Sequence, residues 1–214
     1  MTNHDTALFP GLRASIDDRL AEAADISASR RERLDTIATY IADRVGQGRP
    51  VRLVFICTHN SRRSHMAQLW AQAAARLFGV DPVETYSGGT EATAFDPRAV
   101  AALAGSGFRI RPSSGGTNPV YEVTVGPDME PIRAFSKVYD RPPNPTEGFA
   151  AVMTCSAADA ACPIVHGADA RFAVPYDDPK ASDGTEREAE AYGETCRRIA
   201  REMLFLFERL AATR

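Results

Sequence analysis

The chain has 214 residues, 44% of them hydrophobic, a formal net charge of −3 and a pI near 5.8. That is the balance of one globular domain with additions, and its mild, scattered charge offers no footprint for nucleic acid. Four cysteines at this length fall short of a disulfide framework, no apolar run reaches membrane length, and Met1 to Asp5 lacks the regions of a secretory signal, so a cytoplasmic, membrane-free setting is expected.

Leu12, Ile16, Leu20 and Ala23 form a short apolar stripe at helical spacing. Leu34, Ile37, Ile41 and Val45 form a second, with Ser29 and Glu32 spaced as a capping box and Gly46-Gln-Gly48-Arg-Pro50 closing it. Residues 1–50 are therefore expected to be a helical extension packed on a domain of residues 51–214.

From Val51 a β-branched and aromatic run ends in Cys57, and the polar stretch Thr58, His59, Asn60, Ser61, Arg62, Arg63 and Ser64 follows. Met66, Leu69, Trp70, Ala73 and Leu77 then repeat at helical spacing. Strand, loop and helix in this order make an oxyanion site: backbone N–H groups wrap the anion, the helix N-terminus adds partial positive charge, and the fork of Arg63 clamps two oxygens. The same field favours thiolate over thiol at Cys57, and Ser64 is placed to donate to that sulfur. The alternative, a buried inert cysteine beside surface arginines, does not account for the position between strand and helix.

Further on, a strand ends at Tyr86 to Gly89, Asp96 starts a helix over Pro97 to Gly105, and Phe108 to Ile110 is a short extended piece. Residues of about 118–148 read as an insertion, with alternation on either side of a turn at Gly126 to Asp128 predicting a β hairpin. Its Tyr121, Phe135 or Lys137 would reach a substrate only if the hairpin borders the site; serving the fold alone is the plainer reading. Ala150 to Thr154 reads as another buried strand that delivers Cys155 to the same sheet edge as Cys57. At Asp177-Asp178-Pro179 two carboxylates precede a proline, which is either an ordinary turn or the proton donor that a thiolate attacking a bound oxyanion requires. Cys196 falls within the stripe Ala189, Tyr192, Ile199, Met203, Leu206 and Leu210, as a packing residue of the last helix. His4, His59, His65 and His166 show no ligand spacing, so no metal is expected; His59 either lines the pocket or discriminates among oxyanions, and His65 flanks the helix start.

The loop resembles that of the low-molecular-weight protein tyrosine phosphatase superfamily, C-x-G-N-x-C-R-S, at Cys57, Asn60, Arg63 and Ser64, with Met66 opening the helix. Thr58 and Ser61 lean towards the thioredoxin-coupled arsenate reductases within it, whereas His59 stands where a glycine is usual and Arg62 where a second cysteine is usual. Tyr86 to Ala92, Asp96 to Val100, the pair Cys155 and Cys162, and Asp177 to Pro179 extend the likeness; the first fifty residues and about 118–149 fall outside it. The resemblance implies an α/β three-layer sandwich with a four-stranded, mainly parallel sheet, here carrying the helical extension and the hairpin. It also implies Asp178 as general acid, no bound cofactor, an arsenate or phosphate oxyanion as substrate, and a relay in which Cys57, Cys155 and Cys162 reduce arsenate and are reset by thioredoxin or a similar dithiol. If the segment joining Cys155 to Cys162 is helical, a rise of ~1.5 Å per residue sets their α-carbons roughly 10 Å apart, beyond a disulfide's reach of about 7 Å, so it must loop out on oxidation; its small residues offer little bulk to anchor it. Arg62 either strengthens the loop's field or faces solvent or an acid. A phosphatase needs only the loop and the acid, but Lys180-Ala-Ser-Asp lacks the aromatics that flank a tyrosine ring in that family; a non-catalytic oxyanion or redox sensor is the third reading. Nothing in the sequence fixes the oligomeric state.

Overall fold

The computed structural model describes residues 8–80, 82–162 and 164–212; His4 lies outside them. Strand β1 (Val51–Cys57) is flanked by β2 (Val83–Gly89) and β6 (Phe149–Met153), with β7 (Ala168–Ala173) beyond β6, and all pairings in this four-stranded sheet are parallel. Buried on both faces, β1 is apolar throughout its centre: Leu53 and Phe55 enter one apolar cluster while Val54 and Ile56 enter the other.

The larger cluster lies under α3 (Arg63–Leu77) and α6 (Glu188–Ala212). Helix α3 is nearly all buried, and its alanines 67, 71, 73, 74 and 75 allow the close approach that α6 exploits with Tyr192, Cys196, Ile199, Ala200, Met203 and Phe207. Trp70 donates through Nε1 to Cys196 Sγ at 3.2 Å and meets Phe108 edge to face, so Cys196 is a core residue, as the stripe predicted; Ala189 at the start of that stripe is exposed. The opposite face is thinner, covered by the short α5 (Ser156–Ala161) and by Phe149, Val165, Tyr86 and Tyr139.

Asp96 caps α4 (Pro97–Gly105) by accepting from the Arg98 amide at 2.9 Å. The chain then forms a second, antiparallel sheet of β3 (Arg109–Pro112), β4 (Tyr121–Thr124) and β5 (Ile132–Ala134). The expected hairpin is β4 with β5, and the short extended piece supplies its third strand.

The N-terminal helices are α1 (Pro10–Ala21) and α2 (Ala28–Gly46). Leu12, Ile16, Leu34, Ile37 and Ile41 join the same apolar cluster as α3 and α6. Helix α2 starts after Ser27, two residues before the expected Ser29 and Glu32 capping box, and Ser29 already lies in the first turn. Helix α1 sits on Gly107, whose φ of +97° suits glycine and where a Cβ would come within 2.2 Å of Leu12 N. The Phe9 amide donates to Val125 O at 2.9 Å, and the Arg109 guanidinium lies 3.7 Å above the Phe9 ring, which ties the helix to the second sheet. Among the described residues no helix is long and apolar enough to cross a membrane.

Because α2 shares the main apolar cluster, Ile41→Ala is expected to lower the unfolding free energy by ~2–5 kcal/mol. Urea titration followed by the fluorescence of Trp70 and by far-ultraviolet circular dichroism should give one coincident transition for both signals.

Candidate active site

Strand β1 ends at Cys57 and α3 begins at Arg63, so the loop between them crosses the carboxyl edge of the sheet. Its carbonyls are tied down from outside. Cys57 O accepts from the Thr90 amide, Thr58 O from the Glu91 amide, Ser61 O from the Asp96 amide and Arg62 O from the Met66 amide, while the Ser136 hydroxyl donates to His59 O at 2.8 Å. A trans peptide points its C=O and the following N–H in opposite directions. The amides of residues 58, 59, 60, 62 and 63 are thereby turned to the inner side of the loop, where they form an anion nest at the helix N-terminus.

Asn60 makes the turn possible with a φ of +43°, a conformation asparagine tolerates better than most residues. Its Oδ1 accepts from the Lys137 amide at 3.0 Å and its Nδ2 donates to Ser64 Oγ at 2.9 Å. With that lone pair occupied, the Ser64 proton is free to point at Cys57 Sγ, 3.1 Å away. Gly89 backs the loop so closely that a Cβ there would lie 2.6 Å from Thr58 O and 2.7 Å from Asn60 N.

The acid loop reaches the nest from the other side. Asp178 Oδ2 accepts from Arg63 Nη2 at 2.7 Å, and the same carboxylate takes Nε and Nη2 of Arg62 at 2.9 and 3.3 Å. Arg62 extends Nη1 to Asp96 Oδ2 at 3.3 Å, so the second guanidinium is buried and paired with acids rather than solvated. Burial alone would raise the Asp178 pKa, but Arg63 and then Arg62 outweigh it and hold the carboxyl below its ordinary value. Asp177 points away, fully exposed, towards Arg198. Arg63 also donates to Tyr176 O at 3.0 Å, and its Nε is buried without a partner.

Cys155 is buried at the edge beside Cys57, with Sγ 3.5 Å from Thr58 Oγ1. It also caps α5, accepting from the Ala158 amide at 3.3 Å, while Cys162 stands at the other end of that helix, partly exposed. All four cysteines are free thiols. The joining segment is thus helical, and it is better anchored than its small residues suggest: Arg171 donates to Cys162 O, to Asp159 O and to the Asp159 carboxylate. His59 sits half-exposed at the rim, 3.9 Å from Glu91, and does not engage the nest.

Two residues beside the loop have surroundings that the sequence did not reveal. His65, expected merely to flank the helix start, is fully buried, stacked on Phe95, and donates Nε2–H to Phe135 O. Burial, with Lys137 nearby, holds its pKa well below the ordinary range, so it is neutral. Lys137, on the segment leaving β5, is 6% exposed, and its ammonium meets Phe135 O and the Phe135 ring; burial lowers its pKa to about 8. Among the described residues no group of three or more His, Cys, Asp or Glu side chains is arranged to hold a metal.

Residues 52–119 match the family described as low molecular weight phosphotyrosine protein phosphatase. An arsenate reductase of Bacillus licheniformis is 30% identical over 140 residues, spanning 65% of this chain and 82% of that protein. Arsenate reductase 2 of Staphylococcus epidermidis is 28% identical over 134 residues, 63% of this chain and 82% of its own. The crystal structure of a low molecular weight protein tyrosine phosphatase from T. tengcongensis superposes with a TM-score of 0.50 at 19% identity, covering 74% of this chain and 99% of that one, a likeness of fold alone.

Lys137 gives this site a pH signature. The folded protein releases its proton near pH 8 while the unfolded chain holds it to about 10.5, so the Lys137 contribution to stability rises with pH between those values. Lys137→Met is expected to be the more stable form at pH 7 and to lose that rise, as measured by chemical denaturation of both proteins from pH 7 to 10.

Proposed function

The chain belongs to the low-molecular-weight protein tyrosine phosphatase superfamily, which the arsenate reductases share, and from that premise we propose that it hydrolyses phosphomonoesters through a Cys57 phosphocysteine. The observation that carries this reading is that every group hydrolysis needs already stands around one loop: sulfur beside Ser64, inward amides, Arg63 with a spare buried Nε, and Asp178 in contact with Arg63.

An arriving phosphate dianion competes with Asp178 for Arg63 and sets negative charge beside the carboxyl. Both effects raise its proton affinity, so the carboxyl held as an anion in the resting site becomes the acid of the occupied one. The Cys57 thiolate attacks phosphorus, the bond to the leaving oxygen breaks, and Asp178 hands that oxygen its proton. Water then attacks the S–P bond, Asp178 takes the proton back, and phosphate leaves with the thiolate restored. Ser64 holds the sulfur as it is displaced, and the nest amides of residues 58, 59, 60, 62 and 63 follow the charge on the equatorial oxygens.

Arsenate reduction is the second reading, favoured by Cys155 Sγ lying 3.5 Å from the loop residue Thr58 and by the arsenate reductases among the relatives. Cys155 would attack the Cys57 adduct, expel arsenite and leave a disulfide that Cys162 resolves for thioredoxin or a similar dithiol. That relay requires α5 to unwind and Arg171 to let go, whereas hydrolysis requires no rearrangement of these elements.

The two readings separate on one set of proteins. With an aryl phosphate, turnover is expected in wild type, abolished in Cys57→Ser, reduced by about 10²-fold or more in Asp178→Asn, and retained in Cys155→Ser and Cys162→Ser. Arsenate-dependent NADPH consumption through thioredoxin and its reductase, lost in each of the three cysteine variants and unaccompanied by phosphate release, would replace hydrolysis by the relay.

A further inference from the structure

We propose that Arg30, on the N-terminal extension, is a positioning residue for the acid loop: it fixes the backbone that presents Asp178. The inference rests on the acid role given to Asp178 above. Arg30 lies in the first turn of α2, yet its guanidinium is buried in the segment 174–176 that leads directly into Asp177 and Asp178. It donates Nη2 to Val174 O at 3.2 Å and Nη1 to Pro175 O at 3.1 Å, and it lies 4.6 Å above the Tyr176 ring. Nε is held by Glu202 of α6 at 2.9 Å, itself 2% exposed.

The same short segment is gripped from the opposite side by the site itself. Arg63 donates to Tyr176 O at 3.0 Å, the Tyr176 amide donates to Thr154 O at 3.1 Å, and the Val174 amide to Met153 O at 2.9 Å. Three consecutive carbonyls are therefore bound by two arginines, those of Val174 and Pro175 by Arg30 of the extension and that of Tyr176 by Arg63 of the anion loop. Proline at 175 has no amide to contribute, so the outward grip on this stretch falls to its carbonyls. A planar fork can hold two carbonyls and a carboxylate at once; an ammonium cannot span them. The extension thus contributes a contact that sets where the proton donor stands, without itself touching substrate.

A positioning role predicts a loss that depends on how much the leaving group needs a proton. In the full chain, kcat/KM would be measured for 2,4-dinitrophenyl, 4-nitrophenyl and phenyl phosphate in wild type, Arg30→Lys, Arg30→Met and Glu202→Gln. Ile37→Ala, matched for thermal stability, serves as the control that weakens α2 elsewhere. The expected loss in the Arg30 variants is smallest for the dinitrophenyl ester and grows to about 10-fold or more for phenyl phosphate; Ile37→Ala lowers all three equally or not at all. Arg30→Lys, which keeps the charge beside Glu202, carries the test if Arg30→Met does not fold. Losses independent of the leaving group, or equal to those of the control, overturn the proposal. If wild type is inert on all three esters the hydrolytic reading falls, and Arg30 is judged on the ¹³C titration of the Asp178 carboxyl, assigned with Asp178→Asn. The carboxyl should titrate at higher pH in the Arg30 variant as it slips from Arg62 and Arg63, and identical titrations in both proteins overturn the inference.

Discussion

A nest of amides is an unfavourable thing to build, because inward N–H groups repel one another and leave their carbonyls to be satisfied elsewhere. Here the loop from Cys57 to Arg63 keeps its shape because five of its carbonyls are bound by Thr90, Glu91, Asp96, Met66 and Ser136. Those donors come from four separate stretches of the chain: the turn after β2, the cap of α4, the first turn of α3 and the segment leaving the second sheet. The hairpin that lies outside the family pattern is thus part of the support of the loop, through Ser136 and through the Lys137 amide on Asn60.

The second organising contact is the carboxylate of Asp178 between two guanidiniums. It neutralises both guanidiniums of the loop, and Arg62 links it onward to Asp96, Arg98 and Tyr192. Arg62 stands where the resembled loop pattern has a second cysteine, and here it is a cation that shares the Asp178 carboxylate with Arg63. Under the hydrolysis proposed above, an oxyanion entering the loop would compete with Asp178 for Arg63 and Arg62.

Local chemistry was legible in sequence wherever partners are close along the chain. The strand, loop and helix around Cys57, the cap at Asp96, the hairpin of β4 and β5 and the core position of Cys196 all follow from spacing and residue type. The capping box at Ser29 failed because the helix already begins at Ala28, after Ser27, and the apolar stripe does not choose between the two serines. What could not be read were contacts made across the fold: Arg62 with Asp178, Arg171 with Asp159, Lys137 in its dry pocket, and Arg30 with Val174 and Pro175. Each involves a long charged side chain, and from sequence such residues are expected at the surface. An arginine whose donors go to partners distant along the chain carries no periodicity to betray it.

The seat of α1 on Gly107 has an evolutionary corollary. Gly11 and Gly107 face each other, and the Cβ missing at 107 is the space that the backbone of Gly11 and Leu12 fills. Two distant points of the chain have therefore become one steric unit. In homologous chains that keep this first helix, bulk gained at position 107 should be matched by a shift of the helix opposite it, whereas chains without the helix are released from the constraint at the turn after α4.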